Sequence, residues 1–199
     1  MFIVFEGPDC SSKTSQIRLL SLYLIQKDYK VTVLKEPGST ELGEQLRKLL
    51  LQGGLDSRAE LALFFASRCD NVSKNILIKK NVEIVLCDRY IDSTVAYQCY
   101  GNETLSEKTL RPMLEFFSYN VKPDITFVLD VEYEEATRRM VGRENNHYDT
   151  SGEDYFKRVQ SYYRSLNGKE GYHYIDTTNL SIDDVHHAIL KKVDGFVKF

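Results

Sequence analysis

Short apolar runs alternate along the chain with longer stretches in which apolar residues recur every three or four positions. Phe2-Ile3-Val4-Phe5 reads as a strand buried on both faces. Ile17, Leu20 and Leu24, with Leu19 and Ile25 beside them, give the stripe of an amphipathic helix. Val31 to Leu34 predicts a second strand. A helical pattern through Leu42, Leu46, Leu49 and Leu50 follows, ended by Gly53-Gly54. Asp56 or Ser57 can cap a long helix running from about Arg58 toward Lys80. Glu83 to Cys87, Asp124 to Asp130 and Tyr172 to Ile175 predict three more strands. Helices are expected from near Ser93, from near Ser106 until Pro123 stops the region, and over Glu132 to Met140. Two more are expected over Tyr155 to Leu166 and Ile182 to Val197.

Strands alternating with helices predict an α/β fold, a five-stranded parallel sheet with helices on both faces. Ligands in such sheets sit beyond the carboxyl ends of the strands. That rule selects residues 7–14, 35–40, 88–93, 130–133 and 176–178 as candidate site segments.

The first of these segments carries the clearest chemistry. Gly7-Pro8-Asp9-Cys10-Ser11-Ser12-Lys13-Thr14 joins a buried strand to a helix, the layout of the phosphate-binding loop G-x-x-x-x-G-K-[ST]. Ser12 stands where that motif has its second glycine. Backbone N–H groups of such a loop cradle an anion at a helix N-terminus. Lys13 would reach the outer phosphates, and the Thr14 hydroxyl would bind Mg²⁺. Asp88, directly after an apolar strand, offers the carboxylate that a Mg²⁺ shell needs. Arg89 beside it can give a phosphate two parallel hydrogen bonds. Glu36, in a Pro-Gly loop, can reach metal-bound water or a substrate hydroxyl. On pattern alone Phe64-Phe65 and Tyr97 are equally well read as packed helix residues, and Arg47 as a solvated one.

Composition narrows the class. At 199 residues the chain fits one domain with a sizeable core. A net charge of −3 gives no basic stripe for nucleic acid. No apolar run spans a membrane, and no basic region precedes the first strand as in a secretory signal. Cys10, Cys69, Cys87 and Cys99 lack metal-like spacing and read as reduced thiols of a cytoplasmic protein.

Five segments in order, FEGPDCSSKTSQ, KEPGSTELGEQLR, LALFFASRCDN, VLCDRYIDSTVAYQ and PDITFVLDV, resemble the thymidylate kinase family over nearly the whole chain. The resemblance implies a P-loop NTPase-type three-layer fold, one nucleoside monophosphate kinase domain over residues 1–199, and a small lid near 141–150. It implies Mg²⁺-dependent transfer of the ATP γ-phosphoryl to dTMP. The cofactors would be ATP and Mg²⁺, the partners small-molecule nucleotides, and the assembly a homodimer packed through helices. By position, residues Gly7 to Thr14 would hold the ATP phosphates, with Lys13 central and Thr14 on the metal. Asp9 and Glu36 would face the dTMP sugar, phosphate and metal. Arg47 and Arg89 would clamp the dTMP phosphate. Phe64 would stack on thymine and Arg68 would bond a thymine carbonyl. Thr94, Tyr97 and Gln98 would line the base and sugar pocket, with Tyr97 crowding the 2′ position.

Bacterial-type members take a catalytic arginine from the lid. Cys10 stands where another group carries a loop arginine, so the cation must come from elsewhere. Arg143 is the candidate, with Arg139 nearer the helix. In the lid turn, His147 takes the place of an arginine and is at most partly charged at neutral pH. Two other readings stay open on the residues alone. One is a related kinase with another acceptor, and the other a nucleotide-binding protein without turnover.

Overall fold

In a computed structural model, which describes residues 1–141 and 152–196, five parallel strands form one sheet in the order β2-β3-β1-β4-β5. They are β1 (Phe2–Glu6), β2 (Val31–Lys35), β3 (Ile84–Asp88), β4 (Ile125–Asp130) and β5 (Tyr172–Asp176). The helices are α1 (Lys13–Gln26), α2 (Glu41–Gln52), α3 (Ser57–Asn71), α4 (Leu77–Lys79), α5 (Ile91–Thr94), α6 (Glu107–Phe117), α7 (Tyr133–Met140), α8 (Gly152–Ser165) and α9 (Ile182–Val193).

The central strand explains the layering. Ile3 and Phe5 point to one face, where Ile17, Leu20 and Leu24 of α1 and Val185, Ile189 and Val193 of α9 cover them. Phe2 and Val4 point to the other face, against Val72, Ile76 and Tyr90. A strand covered on both faces has no polar side, which is why it reads as one apolar run. The three-layer α/β arrangement is therefore as expected.

Several helix ends differ from expectation. The long helix after Asp56 is α3 and α4 joined by a π-helical stretch, Val72–Ile76. The helix expected near Ser93 begins two residues earlier, at Ile91, and continues as a second π-helical stretch, Val95–Gly101. The extra residue in each wide turn leaves no mark in composition. The region after Ser106 ends at Phe117, capped at Ser118, rather than at Pro123. The closing helix ends at Val193 rather than at Val197. Caps were legible: Asp56 accepts from the N–H groups of Arg58 and Ala59, and Ser106 from that of Thr109.

Strand order positions the site. β1 lies between β3 and β4, with Phe5 in register with Asp88 on one side and with Phe127 on the other. The loop leaving β1 therefore emerges beside Asp88 and Arg89.

Candidate active site

The loop at residues 7–14 is held by its own backbone geometry. Gly7 has φ +138°, and a Cβ there would lie 2.0 Å from the Leu129 carbonyl oxygen, so only glycine fits. Cys10 and Ser12 have φ of 62° and 71°, left-handed in both cases. Ser12 thus adopts the conformation that a glycine would take freely, at a cost of roughly 1–2 kcal/mol. Lys13 is buried, and its ammonium donates to the carbonyls of Gly7 at 3.0 Å and Pro8 at 2.6 Å and to Ser11 Oγ at 3.3 Å. Burial, and then the nearby Arg89, lowers its pKa to about 8, against the pull of Asp88, Asp9 and Glu6. An anion in the loop would remove part of that strain on the charge.

Thr14 and Asp88 meet across the strand ends, Oγ1 donating to Oδ2 at 2.8 Å. A hydroxyl and a carboxylate at an exposed rim form a partial oxygen set of the kind Mg²⁺ uses, with water and phosphate filling the rest of its octahedron. Among the described residues, no group of three or more His, Cys, Asp or Glu offers an all-protein cage. One hydroxyl and one carboxylate fit Mg²⁺ that shares its shell with a phosphate.

Arg89 holds the next layer. Its φ is 71°, and its side chain reaches back to the loop at the Gly7 carbonyl. Nη2 donates to Asp9 Oδ1 at 2.7 Å and to Tyr97 OH at 3.2 Å, while Nη1 donates to the Gly7 carbonyl at 3.0 Å and Ser93 Oγ at 3.1 Å. Tyr97 OH in turn donates to Asp9 Oδ2 at 2.8 Å, closing a three-membered polar ring. Burial works against the Arg89 charge, and Tyr97, Asp9, Tyr163 and Asp88 together hold its pKa well above the ordinary arginine value.

Glu6 braces this layer from beneath and was missed by sequence reasoning. It accepts from the Tyr90 N–H at 2.7 Å, the Ser93 N–H at 3.2 Å, Ser93 Oγ at 2.6 Å and Tyr163 OH at 3.2 Å. Burial, and then Asp92, raises its pKa to about 7. A carboxylate closing an apolar strand was its one available signal.

A second cluster lies beside the first. Arg68 and Glu36 form an ion pair at 2.8 Å, with side chains only 2% and 4% exposed. Arg68 also donates to Thr94 Oγ1 at 2.9 Å and to the Tyr90 carbonyl at 2.7 Å. Asn71 Nδ2 donates to Glu36 Oε1 at 3.1 Å. Arg47 Nη1 donates to the Pro37 carbonyl at 3.0 Å, which turns it toward the cleft instead of bulk solvent. Phe65 is core, stacked on Phe117 with centroids 4.7 Å apart, while Phe64 lines the cleft. Gln98 lines it too.

Two cavities result. One is lined by Cys10 to Thr14 and Asp88, the other by Phe64, Arg68, Thr94, Tyr97 and Gln98. Asp9, Glu36, Arg47 and Arg89 line both. Gly7 and Pro8 line neither and contribute their carbonyls to Lys13.

Arg143 and His147 lie outside the described residues. Arg139 is described and reaches the loop: Nη1 donates to the Cys10 carbonyl at 3.2 Å and to Thr177 Oγ1 at 3.1 Å, and Nη2 to the Thr177 carbonyl at 2.7 Å. Glu135 accepts from its Nε at 2.7 Å.

A family model described as Thymidylate kinase matches residues 5–189. The thymidylate kinase of Thermosipho melanesiensis is 37% identical over 198 residues, covering 98% of this chain and 98% of that one. That of Ehrlichia canis is 40% identical over 193 residues, covering 93% and 92%. The crystal structure of thymidylate kinase from Ehrlichia chaffeensis is similar with a TM-score of 0.77, 35% sequence identity and 97% of each chain covered.

Proposed function

The chain belongs to the thymidylate kinase family, and we propose that it transfers the γ-phosphoryl group of ATP to dTMP, giving ADP and dTDP, with Mg²⁺. The observation that carries this reading is the shared wall. Asp9, Glu36, Arg47 and Arg89 belong to both cavities, so a phosphate in one and a phosphate in the other meet at the same cations.

ATP phosphates lie in the loop, on its backbone N–H groups and Lys13. The dTMP phosphate lies against Arg47 and Arg89. The metal would be held by Thr14 and Asp88 and would neutralise phosphate oxygens as charge shifts to the leaving group. The acceptor phosphate is already ionised near neutral pH, so no strong protein base is needed. The chain's own work is alignment and charge cancellation. Asp9 keeps Arg89 oriented, and Tyr97 shares that task while crowding the 2′ side of the sugar. Phe64 stacks on the base, Arg68 bonds its carbonyl, and Thr94 and Gln98 complete the pocket.

Arg143, in a lid near 141–150 of this one domain, supplies the catalytic cation that Cys10 cannot. An arginine so placed contributes on the order of 10³–10⁵ in rate. Arg139 is committed to the back of the loop and to Thr177, which favours Arg143 for that role. The protein acts as a homodimer packed through helices, a reading supported by Phe116 and Ile78, which are 75% and 65% exposed.

A coupled assay of ADP formation with dTMP, dUMP, UMP and dCMP tests the function. The expected result is fastest turnover with dTMP. ADP release that ignores the added monophosphate would contradict it.

A further inference from the structure

We propose that Glu60, a residue with no assigned part in the site, sharpens the base preference of the cleft by fixing which end of the Gln98 amide is offered to the ligand. This rests on reading the cleft as a pyrimidine nucleotide site.

Glu60 sits in the first turn of α3 and Gln98 in the π-helical stretch Val95–Gly101, and both are buried. Gln98 Nε2 donates to Glu60 Oε1 at 2.9 Å, and Asn102 Nδ2 donates to the same oxygen at 3.4 Å. A carboxylate only accepts, so the amide must turn its NH₂ toward Glu60. The opposite orientation would set two acceptors against each other in a buried place. Gln98 Oε1 is thereby directed away from Glu60, and no described residue donates to it. Nor is it one of the sealed polar atoms that lack a partner, which among the described residues are Gln16 Oε1, Asp70 Oδ2, Thr104 Oγ1, Tyr155 OH and His186 Nδ1. It is an open acceptor on a residue that lines the cleft.

Arg68 lines the same cleft. Its guanidinium uses one N–H each on Nε, Nη1 and Nη2 within the protein. A guanidinium has five N–H groups, so two remain beyond these three on a residue that lines the cleft. The cleft therefore offers a base one donor and one acceptor. Thymine and uracil present O4 as acceptor next to N3–H as donor, and match. Cytosine presents a 4-amino donor next to N3 as acceptor, and mismatches at both atoms. An amide alone can serve either base by turning over. Glu60 removes that choice and so acts as a positioning residue.

Glu60→Gln tests this, because the new side chain keeps the size but can give or accept, freeing Gln98 to turn. The readout is kcat/KM for dTMP and for 5-methyl-dCMP, which differ only at the base edge. The ratio should fall at least about tenfold, since mispaired buried polar groups carry that much discrimination, while dTMP turnover falls only several-fold. An equal loss on both substrates, or an unchanged ratio, would overturn the proposal. A second variant, Glu60→Gln combined with Gln98→Glu, exchanges acid and amide across the pair. It should bring the ratio back toward that of the unaltered protein, and a folded double variant without discrimination would also overturn the proposal. The unaltered protein separates the two levels. If it fails to phosphorylate dTMP, the pyrimidine-site reading is wrong and this inference falls with it. If it favours dTMP and Glu60→Gln leaves the ratio unchanged, only the role of Glu60 is wrong.

Discussion

Thr14 and Asp88 are 74 positions apart in the chain and joined by a 2.8 Å hydrogen bond. One heads the helix that follows β1, and the other ends β3. The parallel pairing of β1 with β3, Phe5 opposite Asp88, brings them together. Burial of two apolar strands in one sheet thus assembles an oxygen pair at its rim.

Thr14→Ala removes one of those oxygens without touching the core. The Mg²⁺ concentration for half-maximal rate should rise at least about tenfold, with the melting midpoint little changed because the bond is exposed. A Mg²⁺ titration of the initial rate checks this. An unchanged titration would move the metal away from Thr14.

Arg68→Met strands the Glu36 carboxylate in a site where it is 4% exposed. Breaking one side of a buried pair costs about 3–5 kcal/mol. Urea unfolding should show that loss, and adding Glu36→Gln should recover much of it, because no charge is then left unpaired. A double variant as unstable as the single one would mean that the packing of Arg68, not the pairing, was lost.

Glu6 gives a pH dependence with a defined sign. Its carboxyl is raised from the ordinary 4.5 to about 7. Between those values the folded protein keeps a proton that the unfolded chain releases. Stability from this group is therefore present below pH 4.5, falls as pH rises to about 7, and is level above. In Glu6→Gln that slope should vanish, so the stability difference between parent and variant should shift in favour of the variant from pH 5 to pH 8. Parallel stability curves from urea unfolding at each pH would contradict this.

Arg139 and Arg143 should separate kinetically. Arg143→Ala should lower kcat by about 10³ or more with small changes in KM for either nucleotide. Arg139→Ala removes donors to the Cys10 and Thr177 carbonyls and should act mainly through KM for ATP. Steady-state kinetics with each nucleotide varied in turn checks both. A large kcat loss in Arg139→Ala alone would exchange their roles.

The sheet was legible because each buried strand is a short apolar run with a turn signal on either side, and the caps at Asp56 and Ser106 carry their own chemistry. The loop was legible because glycine, lysine and threonine sit at a strand end. What stayed hidden are single polar residues whose partners lie far along the chain. Glu6 bonds Ser93 and Tyr163, at separations of 87 and 157 positions, and no local pattern marks such a pair. Arg139 looks like one more charge on a polar helix until β5 brings Thr177 beside it. Glu60 reads as an ordinary first-turn acid, since helix starts favour acids whether or not they also bond an amide that lines a cleft. Ser12 departs from the loop motif by type yet keeps the left-handed backbone, which only dihedral angles reveal.

The most direct test of two cavities meeting at one set of cations is a crystal structure of the protein with dTMP and a non-hydrolysable ATP analogue bound together. The triphosphate is expected on the backbone of residues 7–14, and the dTMP phosphate within hydrogen-bonding distance of Arg89 with its base between Phe64 and Gln98. A triphosphate bound away from that loop, or a monophosphate out of reach of both Arg47 and Arg89, would contradict it.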